Sequence, residues 1–408
     1  MEDIWDYWVT AMKQTNHNKS FFILAAALRT VALLCVTGPI MQTFLASIGF
    51  SSRMIYIHTT IVQSVNILTI SMCSSWADRG NVIKRAALIE LPYALLYLLY
   101  IPLCLWMSSS PLSFCTITGI CLLQTVFLAL WTVCEYKLPY FIFSPKEYGS
   151  ALSIGGIVGG LISLCAGVMI TRLSEIMSYA TLMLVACMVS AALMLICMLL
   201  YLNLKPITNI TVAQTPTRQK NSQLEVFREP IFYRMIPANL MRGFGYGTTT
   251  VFAAIALELG FDQSVSTALV SAQSLATLVG CALFSTSMAY VSPRVLTLIG
   301  SLTFGLLPLM LIPSKYLFLA VLALVYLGRT LVDYSVPSLL RAAVPVHLAG
   351  PFNAWRMLLH NGGTLLATTI AAFVPVIWLL VLTLVFQLLA GFHYYTSKDL
   401  LVDQQFQY

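Results

Sequence analysis

Two octets almost half a chain apart hold the residues best placed to do chemistry. Thr132-Val133-Cys134-Glu135-Tyr136-Lys137-Leu138-Pro139 is echoed by Thr330-Leu331-Val332-Asp333-Tyr334-Ser335-Val336-Pro337. Each starts with Thr, places an acid followed by Tyr at its centre and ends in Pro. Each also sets a carboxylate in an otherwise apolar stretch. In a membrane such a group costs at least about 2.5 kcal/mol at mid-helix, so it usually faces a cavity, pairs with a cation or carries a proton. A repeat at this spacing implies two halves of similar fold.

Further ionisable residues stand in apolar surroundings. Arg329 and Asp333 are four apart and share a helix face. They form either a self-neutralising pair that lets the helix insert, or a switchable pair in which Asp333 exchanges between Arg329 and a proton or substrate. Glu135 and Lys137, two apart, lie on different faces, and Glu135 suits an inner gate or a proton site. Arg356 and His360 are again four apart, and a histidine there relays protons near neutrality or sits hydrogen-bonded in the core. Arg29 precedes Gly49-Phe50 much as Arg242 precedes Gly260-Phe261, a second trace of the repeat. For these two arginines three roles stand open: gripping an anion, pairing with Glu135 and Asp333 at a gate, or snorkelling to the interface. The aromatics Trp131, Tyr136, Tyr140, Tyr246 and Tyr334 either line a cavity or pack.

The elements that must position these groups are membrane helices. Apolar residues make up 59% of the chain and charged residues 9%, far from the roughly 25% charged of a soluble domain, and mean hydropathy is +0.85. Spans of about 20 residues cross the hydrocarbon as helix. The pattern predicts spans over 21–46, 54–76, 86–107, 112–143, 150–170, 176–202, 235–257, 264–290, 295–312, 316–340, 350–373 and 376–395. The chain thus divides into an N-terminal segment (1–20), a six-helix half (21–203), a basic linker (204–232), a second half (233–396) and a tail (397–408). Segment 1–20 lacks a signal-peptide pattern and is expected as a surface helix or a frayed tail. With both termini cytoplasmic, Arg53, Arg172 and Lys315 are the only basic residues in outer loops, which satisfies the positive-inside rule. The net charge of +7 then reflects topology and anionic lipid, not nucleic acid. The ten cysteines show no C-x-x-C pair, and nearly all are expected as buried space-fillers rather than metal or redox ligands.

Ser74-Ser75-Trp76-Ala77-Asp78-Arg79-Gly80, followed by Lys84-Arg85, resembles the loop between the second and third helices of the major facilitator superfamily. Asp78 and Arg79 carry most of the likeness. Glu90, just beyond, is expected to pair with this loop. Together with the twelve spans and basic linker, the resemblance covers the chain and implies an all-α membrane protein of twelve transmembrane helices in two pseudo-symmetric six-helix bundles. In that family spans one, four, seven and ten surround the central cavity, and here they hold Arg29, Glu135, Lys137, Arg242, Arg329 and Asp333. The organophosphate exchangers of the superfamily grip phosphate with arginines on spans one and seven. The Gly155-Gly156 and Gly159-Gly160 run resembles the glycine signature of its drug/proton antiporters, though small residues also let helices pack closely.

The expectation is a secondary active transporter of a small polar or charged organic solute in the cytoplasmic membrane. It is expected to couple to protons, act as a monomer, need no cofactor or metal and have no enzyme activity. Drug/proton efflux, and a sensor or scaffold that has lost turnover, are the alternatives. Arg29, Arg242, Arg329, Trp131, Tyr136 and Tyr334 are the substrate-binding candidates. Asp333, Glu135, Lys137, Arg356 and His360 are the candidates for proton coupling or gating.

Overall fold

A computed structural model describes residues 2–36, 38–73, 81–106, 108–135, 138–143, 145–206, 226–287, 290–344 and 349–397, and the regular structure among them is helix throughout. Among the described residues the helices assemble into twelve spans, six in each half. Span one is α1 (Glu2–Val36) with α2 (Pro39–Ile48), and span two is α3 (Ser52–Cys73). Span three is α4 (Val82–Leu98) with α5 (Tyr100–Trp106), and span four is α6 (Pro111–Glu135), followed by the short α7 (Leu138–Ile142). Spans five and six are α8 (Pro145–Ile176) and α9 (Tyr179–Leu202).

In the second half, span seven is α10 (Pro230–Thr250) with α11 (Phe252–Glu258), and span eight is α12 (Gln263–Ser287). Span nine joins α13 (Pro293–Leu302) to a 3-10 run (Thr303–Leu311). Spans ten to twelve are α14 (Lys315–Ala343), α15 (Ala349–Ala371) and α16 (Val376–Thr396).

Local chemistry sets the boundaries. Proline opens α2, α6, α8, α10 and α13, a position where its missing N–H has no helical partner to lose. Gly49 and Gly260 end spans one and seven in left-handed backbone, with φ of 107° and 82°, which glycine adopts without a Cβ penalty. The two spans also break at matching places. Gly38, nine residues after Arg29 (29 to 38), has φ 57°, and Val251, nine after Arg242 (242 to 251), is non-helical. The weak repeat in sequence is therefore a repeat in backbone shape.

Several expectations are corrected. Residues 2–20 run into α1 as one helix, so they form no separate surface element. Span four is described as helix up to Glu135 in α6 and again over Leu138–Ile142 in α7. The second octet, by contrast, lies wholly inside α14, although Pro337 removes the ladder bond that would reach the Asp333 carbonyl. Cys115 and Cys165 are exposed rather than buried.

Nine stretches among the described residues are long and apolar enough to cross a membrane. The spans outside that set, 52–73, 230–258 and 349–371, are the more polar ones, and they pack against other spans in the interior. The halves meet where α8 packs along α12 and α3 along α15. A Cβ on Gly160 would lie 3.1 Å from the Leu278 backbone, and one on Gly167 3.0 Å from that of Ser271. The glycine run of span five thus serves close packing between the halves.

Candidate functional site

The C-terminal half gathers its charges where α10 crosses α15, with side chains of α14 reaching in. Glycine makes that crossing possible: a Cβ on Gly243 would collide with the His360 carbonyl, and one on Gly363 with that of Leu240. The close approach brings His360 against Tyr246, with ring centroids 5.0 Å apart and edges toward faces. On α10, Arg242 donates through Nη2 to Asp333 Oδ1 at 2.5 Å. On α14, Arg329 Nε lies 3.5 Å from Asp333 Oδ2, and Arg329 Nη1 donates to Thr249 Oγ1 at 2.7 Å. The Arg329 guanidinium also stacks 3.6 Å over the Tyr246 ring, a cation–π contact.

One carboxylate therefore serves two guanidiniums from two helices. The Asp333 side chain keeps 32% of its surface exposed while that of Arg242 keeps 8%, so the acid is the accessible member. Arg242 Nε and Nη1 and His360 Nδ1 are buried with no hydrogen-bond partner. A small cavity lies against this group, lined by Arg242, Tyr246, Arg329, Asp333, His360 and Gln387. Guanidinium donors without an acceptor, on a residue that lines a cavity, suit a ligand bearing negative oxygen.

The N-terminal half holds a second, more closed cluster. Arg29 donates through Nε to Glu90 Oε1 at 2.8 Å and stacks 3.4 Å over Trp131. Arg29 is 4% exposed and Glu90 0%. Arg29 Nη2, Glu90 Oε2, Trp131 Nε1 and Tyr201 Oη are buried here without partners.

At one end the halves are bonded to each other. Tyr56 Oη donates to Glu258 Oε2 at 2.8 Å, Ser174 and Thr267 hydroxyls lie 3.3 Å apart, and Arg53 stands 5.6 Å over Phe373. These contacts close that end.

Residues 28–334 match the MFS_1 like family. The chain belongs to that family, within the major facilitator superfamily. No curated protein matches it in sequence. Among solved structures it is similar to a D-xylose–proton symporter at TM-score 0.69 and 10% identity, over 94% of this chain and 98% of that one. A nucleoside transporter NupG (D323A mutant) matches at TM-score 0.67 and 13% identity, over 92% and 98%. An inward-facing bacterial homologue of the human lysosomal transporter Spinster matches at 0.62 and 16%, over 94% and 96%. At these identities the likeness is one of fold.

Within the facilitator fold, the residues singled out in the sequence fall into distinct places. Arg242, Arg329, Asp333 and His360 come together, and the Arg329–Asp333 pair forms as its spacing implied. Arg242 takes the Asp333 partnership proposed for a gate, whereas Arg29 takes Glu90 rather than Glu135. Burial of both arginines excludes snorkelling. Glu90 lies within the bundle on Arg29, while 78–80 of the loop expected to partner it lie outside the described residues. Trp131 covers Arg29 and is 5% exposed, so it lines no open cavity. Tyr334 packs against Phe284 at 5.5 Å between ring centroids and next to Gly156, away from the Arg242 cavity. Glu135 is half-buried at the end of α6. Arg356 is buried, with Nη2 3.5 Å from Met357 Sδ, and does not line the cavity. Lys84 is exposed and Arg85 half-buried at the start of α4. Asp78, Arg79, Tyr136 and Lys137 lie outside the described residues.

Thr249 and Gln387 belong to the site, and sequence reasoning passed over both. Gln387 donates to the Met241 and Arg242 carbonyls at 2.7 and 3.2 Å. An amide within a span as apolar as 376–396 was the signal available.

Proposed function

We propose that this chain is a secondary active transporter that moves a small polar or charged organic solute across the cytoplasmic membrane by alternating access of its two halves. The observation that carries this reading is the sharing of Asp333 between Arg242 and Arg329 beside a cavity. A solute's negative group competes with Asp333 for the two guanidiniums. When the solute wins, the released carboxylate takes up a proton, because an unpaired carboxylate in this setting is costly. Solute and proton then travel together, and the proton gradient supplies the energy. The transporter acts as a monomer with both termini in the cytoplasm.

The test is a thermal-shift screen of the purified protein against a solute library at two pH values, followed by uptake into liposomes. A bound solute stabilises the fold by mass action. An anionic hit that drives proton uptake, and that is lost in Arg242→Ala, supports the reading. Hits confined to cationic or lipophilic compounds that persist in Arg242→Ala but vanish in Asp333→Asn would replace it with drug/proton exchange. Saturable binding without movement of any solute would leave a sensor.

A further inference from the structure

Span seven is interrupted between α10 and α11, and a side chain from the other half occupies the interruption. Gln42 of α2 is 3% exposed. Its Nε2 donates to the Thr250 carbonyl at 2.7 Å, and its Oε1 accepts from the Ala254 N–H at 3.0 Å. Residues 250 and 254 are the i and i+4 partners that an unbroken helix would join directly. One primary amide, with its donor and acceptor side by side, has replaced that ladder bond with two bonds of its own. Insertion of a side chain into the ladder is a recognised cause of helix kinks. Here Val251 turns away instead, its N–H reaching back to the Thr248 carbonyl at 3.2 Å.

Both sides of the exchange are satisfied. With Gln42 in place, the Thr250 carbonyl and Ala254 N–H are paired across the halves. With Gln42 withdrawn, they are left to pair with each other, so neither state strands a buried backbone group. The same two backbone groups thus fit either a broken ladder or a continuous one. The next residue ties the break to the charged site: Thr249 Oγ1 accepts from Arg329, and the Thr249 carbonyl accepts from Tyr326 Oη at 2.9 Å.

We propose that Gln42 is a positioning residue that holds the break in span seven, and that its withdrawal straightens the span and unlocks the closed end of the bundle. A solute that draws Arg329 off Thr249 loosens the same last turn of α10 that Gln42 grips. The latch is thereby linked to occupancy of the Arg242, Arg329 and Asp333 site, yet it can be tested without a solute.

Hydrogen–deuterium exchange of the full chain in lipid nanodiscs, resolved by mass spectrometry, compares wild type with Gln42→Leu and Gln42→Glu. Leucine cannot bridge, whereas glutamate keeps the size and the acceptor for Ala254 but loses the donor to Thr250. In Gln42→Leu, exchange should rise roughly tenfold in 39–48 and 263–271, which line the closed end, as their local opening becomes easier. Over 250–258 it should stay equal or slow, since the helix ladder closes there. Gln42→Glu should move the same stretches in the same direction by less, and it carries the test if the leucine variant does not fold. Faster exchange in 250–258 would mean that Gln42 merely fills a gap, and would overturn the proposal. Unchanged exchange in 39–48 and 263–271 would overturn it equally.

Discussion

Trp131 and Arg329 stand at matching places in the two halves, each one residue before the repeated Thr, and they have traded chemistry. Trp131 lies under the guanidinium of Arg29 at 3.4 Å, while Arg329 lays its own guanidinium over Tyr246 at 3.6 Å. The repeat keeps a cation–aromatic contact on each side but reverses which span supplies the cation. As a result the Arg29 cluster has one arginine on one acid, and the Asp333 cluster has two arginines on one acid.

The Arg29–Glu90 pair is expected to be structural. Breaking a buried pair by removing one partner costs about 3–5 kcal/mol, whereas replacing both with apolar groups of similar volume is often close to neutral. Chemical unfolding in detergent should show large losses for Arg29→Met and Glu90→Leu alone. The double variant should recover much of that loss, a coupling that a double-mutant cycle reads directly. Simple addition of the two losses would contradict the pairing.

Asp333→Asn should behave differently. The carboxylate is about a third exposed, so solvent screens part of its contribution, and a stability loss of about 1 kcal/mol is expected. Solute binding, measured by thermal shift, should instead lose its dependence on pH. A folded Asp333→Asn variant whose solute binding keeps the wild-type pH dependence would remove Asp333 from the coupling role.

Tyr246→Phe keeps the ring beneath Arg329 and should bind solute nearly as wild type. Tyr246→Ala removes it and should weaken binding by about 1 to 2 kcal/mol, the scale of a desolvated cation–π contact. Isothermal calorimetry on the two variants checks the order.

Gly243→Leu or Gly363→Leu should prevent normal folding, because either side chain would meet the backbone of the opposing helix. Overpacking costs about 1–3 kcal/mol or more. Gly119 has open space around its Cβ position, so Gly119→Ala should be neutral or stabilising by up to about 1 kcal/mol. Melting temperatures in detergent separate the two cases.

Much of the fold was legible because span length and hydropathy are properties of the solvent that surrounds the chain, and each span declares them independently. The paired glycines at 49 and 260 and the octets at 132 and 330 also located the two halves. Partner choice was less legible. Arg29 and Arg242 look alike in sequence, yet one is neutralised from span three and the other from span ten, a difference fixed by how helices lean on one another. Spacing along one helix could reveal Arg329 with Asp333, but only packing could bring Arg242 to the same carboxylate. Gln42 carried no signal at all, since its role depends on a break in a helix more than two hundred residues away.

The two-to-one ratio of guanidiniums to carboxylate has an electrical consequence. The group around Asp333 carries one more positive charge than negative, and any rocking of the halves moves that charge through part of the transmembrane field. A full elementary charge crossing the field is worth about 2.3 kcal/mol per 100 mV. The unloaded carrier should therefore reorient at a rate that voltage alters, and a monovalent anion that arrives with the proton taken up by Asp333 leaves the net charge unchanged, so the loaded stroke should respond to voltage alike.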